Sequence, residues 1–152
     1  MENSSSLKTA GLWTGRLLLG GTFIIAAALK IKDPPAFVAD IDHYRLLPYP
    51  LALTTGVYLP WLELLCGTAV LVRRLERGAL ALLLGLCGLF SLALAAALAR
   101  GLDINCGCFG HGTTANLPMA LARSLVLGLI TYLLLKQSLQ TKACASSAQP
   151  AL

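Results

Sequence analysis

This sequence predicts an all-α membrane protein: a four-transmembrane-helix bundle with a short amphipathic helix in the first outer loop. Three observations carry that expectation. The 152 residues are 57% hydrophobic and only 12% charged, with a mean hydropathy of +0.74, which is more apolar than a soluble domain tolerates. The apolar residues gather into four runs of about 20 residues, the length that crosses the hydrocarbon core of a bilayer. Between the second and third runs lies Arg73-Arg74-Leu75-Glu76-Arg77, a tight basic hairpin of the kind retained on the cytoplasmic side. Lipid offers the backbone no hydrogen-bond partners, so each run is expected as a helix.

Residues 1–10, with Ser4-Ser5-Ser6, read as a disordered cytoplasmic head, and 137–152 as a flexible tail. The membrane domain between them covers 11–136. Its first span is expected over 12–31, where Gly15, Gly20 and Gly21 would let a neighbouring helix come close. Lys8 and Arg16 ahead of the run from Leu17 to Ala28 also resemble a signal peptide; three spans would then remain, with Lys30 opening the mature chain.

After the first span, Asp33-Pro34-Pro35 can start a helix, with the aspartate capping free amides and proline tolerated in the first turn. Phe37, Ile41 and Tyr44 then form an apolar stripe, expected opposite Asp40 and Asp42, until Leu47-Pro48 ends the segment. This is the outer amphipathic helix, lying on the membrane surface. The second span is expected over 51–72 with a kink at Pro60, the third over 78–99 and the fourth over 117–135.

Four spans put Lys8, Arg73, Arg74, Arg77, Lys136 and Lys142 on one side with Glu2 and Glu76. The other side holds Lys30, Lys32, Arg45, Arg100 and Arg123 with Asp33, Asp40, Asp42 and Asp103. Total basic counts barely differ, and the arginine hairpin decides: both termini are expected in the cytoplasm and the 100–116 loop outside. The localisation this implies is a bacterial inner membrane, with the loop facing the periplasm. The net charge of +5 follows from anchoring at the inner leaflet and gives no reason to invoke nucleic acid.

The residues with the most chemistry are Cys106 and Cys108, in Asn105-Cys106-Gly107-Cys108-Phe109-Gly110. A disulfide between residues two apart forms only where the chain bends, which Gly107 permits. Such a small ring is strained and readily reduced, which suits exchange better than bracing. Outside the cytoplasm a disulfide also persists. The alternative is a soft metal held by Cys106, Cys108 and His111, with His43 the nearest further ligand. Cys66 and Cys87 lie within the second and third spans, where an intramembrane pair is conceivable and small buried apolar thiols are the simpler account.

Glu63 and Arg16 are the ionisable residues deepest in the spans. A charge at that depth costs about 2.5–3.5 kcal/mol, so each calls for a partner in the bundle interior. They lie about a helical turn apart in depth and are candidates for pairing with each other, with proton transfer as a second role for Glu63. Lys30 and Arg123 fall near the outer ends of the first and fourth spans. There they either stabilise a thiolate in the loop or snorkel to the headgroups.

Taken together, Gly15-Arg16, Leu29-Lys30, Asp33-Pro34, Phe37, Tyr44 to Pro48, Leu59-Pro60-Trp61-Leu62-Glu63, Cys106-Gly107-Cys108-Phe109-Gly110 and Arg123 resemble the MauE family, within the broader DoxX-like group. The resemblance runs from about Gly11 to Leu135, and Cys-Gly-Cys-Phe-Gly is its specific core. Asn105 departs from it, standing where an acidic residue is expected. The resemblance implies a small inner-membrane thiol–disulfide redox protein working beside a periplasmic thioredoxin-like partner, in methylamine users for maturation of the disulfide-rich small subunit of methylamine dehydrogenase. On that basis Cys106 and Cys108 are the exchanging pair and Arg16, Glu63, Lys30 and Arg123 support them. A quinone held between helices is the candidate electron carrier. Two alternatives from other classes stay open, a non-catalytic anchor for a soluble redox protein and a copper- or zinc-handling membrane protein.

Overall fold

The computed structural model describes residues 3–73, 75–101 and 117–146. The described residues form five helices: α1 (Asn3–Lys32), α2 (Pro34–His43), α3 (Tyr49–Val72), α4 (Glu76–Ala99) and α5 (Leu117–Ser146). Four are long and apolar enough to cross a membrane, over Gly11–Lys32, Tyr49–Val72, Glu76–Ala99 and Pro118–Gln140. The chain is therefore a multi-pass membrane protein, and the end of the bundle that carries the short helix α2 is called its outer end. Helix also occupies 3–10 and 137–146, where the sequence suggests a head and a tail. Adding a residue to a formed helix gains a hydrogen bond for one residue's loss of freedom, so helices run on past their apolar stretch.

The outward faces are leucine-rich. Leu17, Leu65, Leu89 and Leu92 are all well over half exposed, a surface that lipid tails cover. Inward, Leu19, Phe23, Cys66, Val70, Leu80, Leu83, Cys87 and Leu134 from all four spans make one buried core.

The bundle is two antiparallel pairs, α1 with α3 and α4 with α5, each closed by different means. Gly20 and Gly67 bring α1 and α3 together: a Cβ on Gly20 would lie 2.7 Å from Leu71 Cγ and 3.0 Å from the Gly67 carbonyl oxygen. Of the three glycines expected to allow close approach, only Gly20 is placed at such a contact. Gly15 has ordinary room against Leu134, and nothing lies within 4 Å of a Cβ on Gly21. Along α4 and α5 the Arg77 guanidinium donates to the Ser138 carbonyl, Cys87 faces Gly128, and the Ser91 and Ser124 hydroxyls share a 2.8 Å hydrogen bond. These three pairs keep one continuous antiparallel register.

α2 starts as its sequence predicts, with Asp33 accepting from the Ala36 amide at 3.2 Å and prolines in the first turn. It ends earlier than Leu47-Pro48, at His43, and Arg45 adopts a left-handed φ of 49°. Its buried face also differs from the expected one. Phe37, Val38, Asp40 and Tyr44 are all buried, because positions three and four apart share a helix face and Asp40 falls between Phe37 and Tyr44. Val38 settles into the space left by Gly56, which fixes α2 on the outer end of α3. Pro60 lies within α3, fully buried, and the helix continues through it.

Tyr44 then wedges among Leu94, Ala97 and Ala120, joining the α2 corner to the outer ends of α4 and α5. Its carbonyl is 3.4 Å from Arg100 Nη1. Its hydroxyl is buried without a partner among the described residues. Burial, and then the neighbouring Asp40 charge, pushes this phenol up from 10.0 to about 12. Because the folded pKa is raised, the associated stability is intact below pH 10 and is lost as pH climbs toward 12.

Two outcomes are expected. Gly20→Val should force α1 from α3 and destabilise the protein in detergent by about 1–3 kcal/mol, whereas Gly21→Ala should be neutral or slightly stabilising; equal thermal melts for the two would refute the close contact. Tyr44→Phe should leave stability unchanged or raise it near neutral pH, since an unsatisfied buried hydroxyl is lost. In an ultraviolet tyrosinate titration it should remove a step near pH 12.

Candidate functional site

Each charged residue inside the bundle is positioned by the direction in which helical side chains lean. The Cα–Cβ bond tilts toward the helix N-terminus. Lys30, near the end of α1, therefore leans into the bundle, while Glu63 on antiparallel α3 leans outward to meet it. Lys30 Nζ donates to both carboxylate oxygens, at 2.8 and 2.7 Å. Both side chains are more than nine-tenths buried. The ring of Phe37, from α2, covers the same ammonium at 4.7 Å to its centroid. One cation thus joins three elements.

Arg16 does not pair with Glu63. In the register set by Gly20 against Gly67, Arg16 stands level with Leu71, about 12 Å along α3 from Glu63 at the helical rise. The Glu63 side chain also leans away from it. Arg16 instead meets Glu76, in the first turn of α4, with Nε and Nη2 at 2.8 and 2.7 Å from the same oxygen. The two ion pairs lie toward opposite ends of the bundle.

A cavity of about 80 Å³ opens beside the outer pair. Its wall takes residues from all four spans: Thr22, Phe23, Ala26 and Lys30 of α1, Leu59 and Glu63 of α3, Leu86, Cys87 and Phe90 of α4, and Ala120, Arg123, Ser124 and Leu127 of α5. Two cations, one carboxylate, a thiol and two hydroxyls converge on an otherwise apolar space. At ~30 Å³ per molecule it has room for two or three waters. That is well below the ~300–1,000 Å³ of pockets that take cofactor-sized ligands, so this cavity does not fit a quinone. Lys30 thus holds the Glu63 carboxylate at the edge of this water-sized space.

Among the residues expected to support chemistry, the structure brings Lys30, Glu63 and Arg123 to one cavity and leaves Arg16 at the other end. Lys30 does not snorkel to the headgroups: Glu63 holds it inside, and its charge is largely neutralised there. Cys87 lines the cavity, whereas Cys66 does not; both carry free thiols. Cys106, Cys108 and His111 lie outside the described residues. Among those described, no three His, Cys, Asp or Glu side chains gather as a metal would require, and His43 is exposed.

Four residues escape a reading of charges alone. Phe37 looks like part of an apolar stripe, Glu76 like one acid in a basic hairpin, and Ser91 and Ser124 like ordinary small residues of a span. The signal for Glu76 was its place in the first turn of α4, at the bundle end that also carries Arg16.

Comparison with known proteins follows this geometry. The family model described as methylamine utilisation protein MauE matches residues 8–136. The chain is 38% identical over 92 residues to methylamine utilization protein MauE of Methylophilus methylotrophus, covering 60% of this chain and 48% of that protein. It is 30% identical over 118 residues to the protein of that name from Paracoccus denitrificans, covering 76% and 63%. It is 35% identical over 97 residues to that of Methylorubrum extorquens, covering 63% and 52%. The chain thus spans about half to three-fifths of the length of these relatives. No solved structure matches it.

The buried pair makes a sharp prediction. Lys30→Met or Glu63→Leu alone should destabilise the protein by about 3–5 kcal/mol, because the remaining group is left without its partner. The double variant Lys30→Met, Glu63→Leu should recover most of that loss. A double-mutant cycle by denaturation in detergent measures it, and additive losses would show that the two groups do not interact.

Proposed function

We propose that this chain, which belongs to the MauE family, works as an integral membrane thiol–disulfide redox protein that exchanges electrons with a periplasmic thioredoxin-like partner through Cys106 and Cys108. The observation that carries the proposal is the Cys106-Gly107-Cys108 sequence in a segment tethered at the bundle end that holds the charged cavity. The described residues before and after that segment, Gly101 and Leu117, follow α4 and open α5. Lys30, Arg123 and α2 belong to the same end.

The exchange balances as follows. A thiolate at one cysteine attacks the partner's disulfide; a new S–S bond forms between the proteins, the partner's S–S bond breaks, and one partner sulfur leaves as thiolate. The second cysteine, deprotonated, attacks the mixed disulfide. Cys106 and Cys108 become joined, and the partner departs as a dithiol carrying two electrons. Two protons pass from this chain's thiols to the partner's sulfurs, and the reverse reaction follows the same steps. Glu63 and Lys30, beside space for water, supply a proton-holding group near this end, and Arg123 adds a cation that favours thiolate.

The orientation that goes with this function has both termini in the cytoplasm. It rests on the Arg73-Arg74-Leu75-Glu76-Arg77 hairpin and the positive-inside rule. By family membership, maturation of a disulfide-rich protein such as methylamine dehydrogenase is the proposed pathway.

Trapping tests the chemistry. In membranes of a host that makes the partner, Cys108→Ser should accumulate a reducible adduct through Cys106, or Cys106→Ser one through Cys108, seen on non-reducing gels. Absence of an adduct from both variants, together with wild-type function of the double serine variant, would refute exchange and favour an anchoring role. Metal bound stoichiometrically and lost on replacing His111 would favour the metal-handling alternative. A membrane-impermeant thiol reagent, applied to whole spheroplasts before and after reduction, should label these cysteines from outside.

A further inference from the structure

The opposite end of the bundle carries a second polar cluster, which the redox proposal does not use. Trp13, two residues into the first span, is 43% exposed. Two guanidinium groups approach its ring, Arg16 at 5.9 Å and Arg73 at 5.5 Å from the centroid. Among the described residues Glu76 is the carboxylate this cluster meets, and it is engaged at 2.7 Å by Arg16. Arg73 stands 3.9 Å from its other oxygen, with its side chain 53% exposed. Arg77 donates to the Ser138 carbonyl, a neutral acceptor that leaves the positive charge uncompensated. Arg16, Arg73 and Arg77 against Glu76 leave two positive charges in excess.

The surroundings of this excess are those of a membrane boundary. Arg73 is the first residue after the second span, and Arg77 lies in the first turn of the third. Val72 and Leu75 beside them are 67% and 86% exposed, an apolar flank suited to acyl chains. The turn itself is made without glycine: Arg73 and Leu75 both adopt left-handed φ, at 60° and 58°. Side chains rarely accept that conformation. Here it places the Arg73 guanidinium just beyond the end of the second span.

We infer that Trp13 and Arg73, reinforced by the charge of Arg77 at the same end of the bundle, form a binding site for the phosphate headgroup of an anionic phospholipid. Charge complementarity selects this occupant. Guanidinium groups pair with phosphate oxygens through several N–H donors, and an anionic lipid brings a net negative charge that a zwitterionic lipid cancels with its own ammonium. The indole lies at the interface depth that tryptophan favours. This inference is independent of the cysteine chemistry, and each arginine should contribute about five-fold in affinity, which is about 1 kcal/mol.

Fluorescence quenching tests it on the full chain. Trp61→Phe leaves Trp13 as the only indole, since the sequence has two tryptophans. In phosphatidylcholine bilayers, brominated phosphatidylglycerol should quench Trp13 with an apparent binding constant about 25-fold stronger than that of brominated phosphatidylcholine. Arg73→Gln and Arg77→Gln should each lower that ratio about five-fold, while Arg45→Gln, at the other end, should leave it unchanged. Taking the ratio within each variant removes any change in the starting fluorescence, and circular dichroism confirms the helical fold. Equal quenching by the two lipids, or a preference that survives both arginine substitutions, would overturn the proposal. Reversal of the quenching by millimolar inorganic phosphate would also overturn it, by showing a site for the free anion.

Discussion

Much of this structure depends on a single ammonium group that lipid cannot solvate. Lys30 would be costly to bury alone. Two hydrogen bonds from Glu63 and the face of Phe37 make its position acceptable. Those partners come from α3 and α2, so satisfying one charge sets the axial position of α1 against α3 and holds the outer helix over their ends. The glycine contact at Gly20 and Gly67 agrees with the same register. Close backbone packing and ion pairing are therefore consistent with each other, as expected where local and global preferences reinforce one fold.

The second helix pair is closed by small residues and hydroxyls. α4 and α5 meet through small residues, at Gly128 against Cys87 and at the Ser91–Ser124 hydrogen bond. Hydroxyls in a span also bond their own helix, as Ser91 does to the Cys87 carbonyl and Thr131 to the Leu127 carbonyl. No backbone group is lost to the apolar surroundings in doing so. The cavity lies where the two pairs face each other, lined by Lys30, Glu63 and Arg123 among apolar neighbours.

The polar groups divide the molecule by end. The outer end combines the cavity, Tyr44 and the roots of the cysteine-bearing segment; the other end combines Trp13 with the arginines around Glu76. Between them lies the leucine, phenylalanine and cysteine core. The two ion pairs, Lys30 with Glu63 and Arg16 with Glu76, are thereby kept apart at opposite ends of the bundle. Both arrangements use charges that lipid would otherwise exclude, and in both an acid from a different helix sits beside the basic residue.

Hydropathy alone determined the four spans, since lipid forces any long apolar run into a helix whatever its neighbours. The Asp33-Pro34-Pro35 start of α2 was equally local, being a cap and a fixed φ. The family could be read from motifs spread along the chain, above all Cys106 to Gly110. Pairing was not legible. Counting depth from span ends matched Arg16 with Glu63, but depth carries no information on register or on side-chain direction, and those sent Arg16 to Glu76 and Glu63 to Lys30. Burial of Asp40 and selection of Gly20 over Gly21 likewise depended on which helix face met a neighbour. The sequence by itself determined which segments enter the membrane, because solvation is a property of each segment. Only the tertiary structure decided which charges meet, because that is a property of two helices in one particular register.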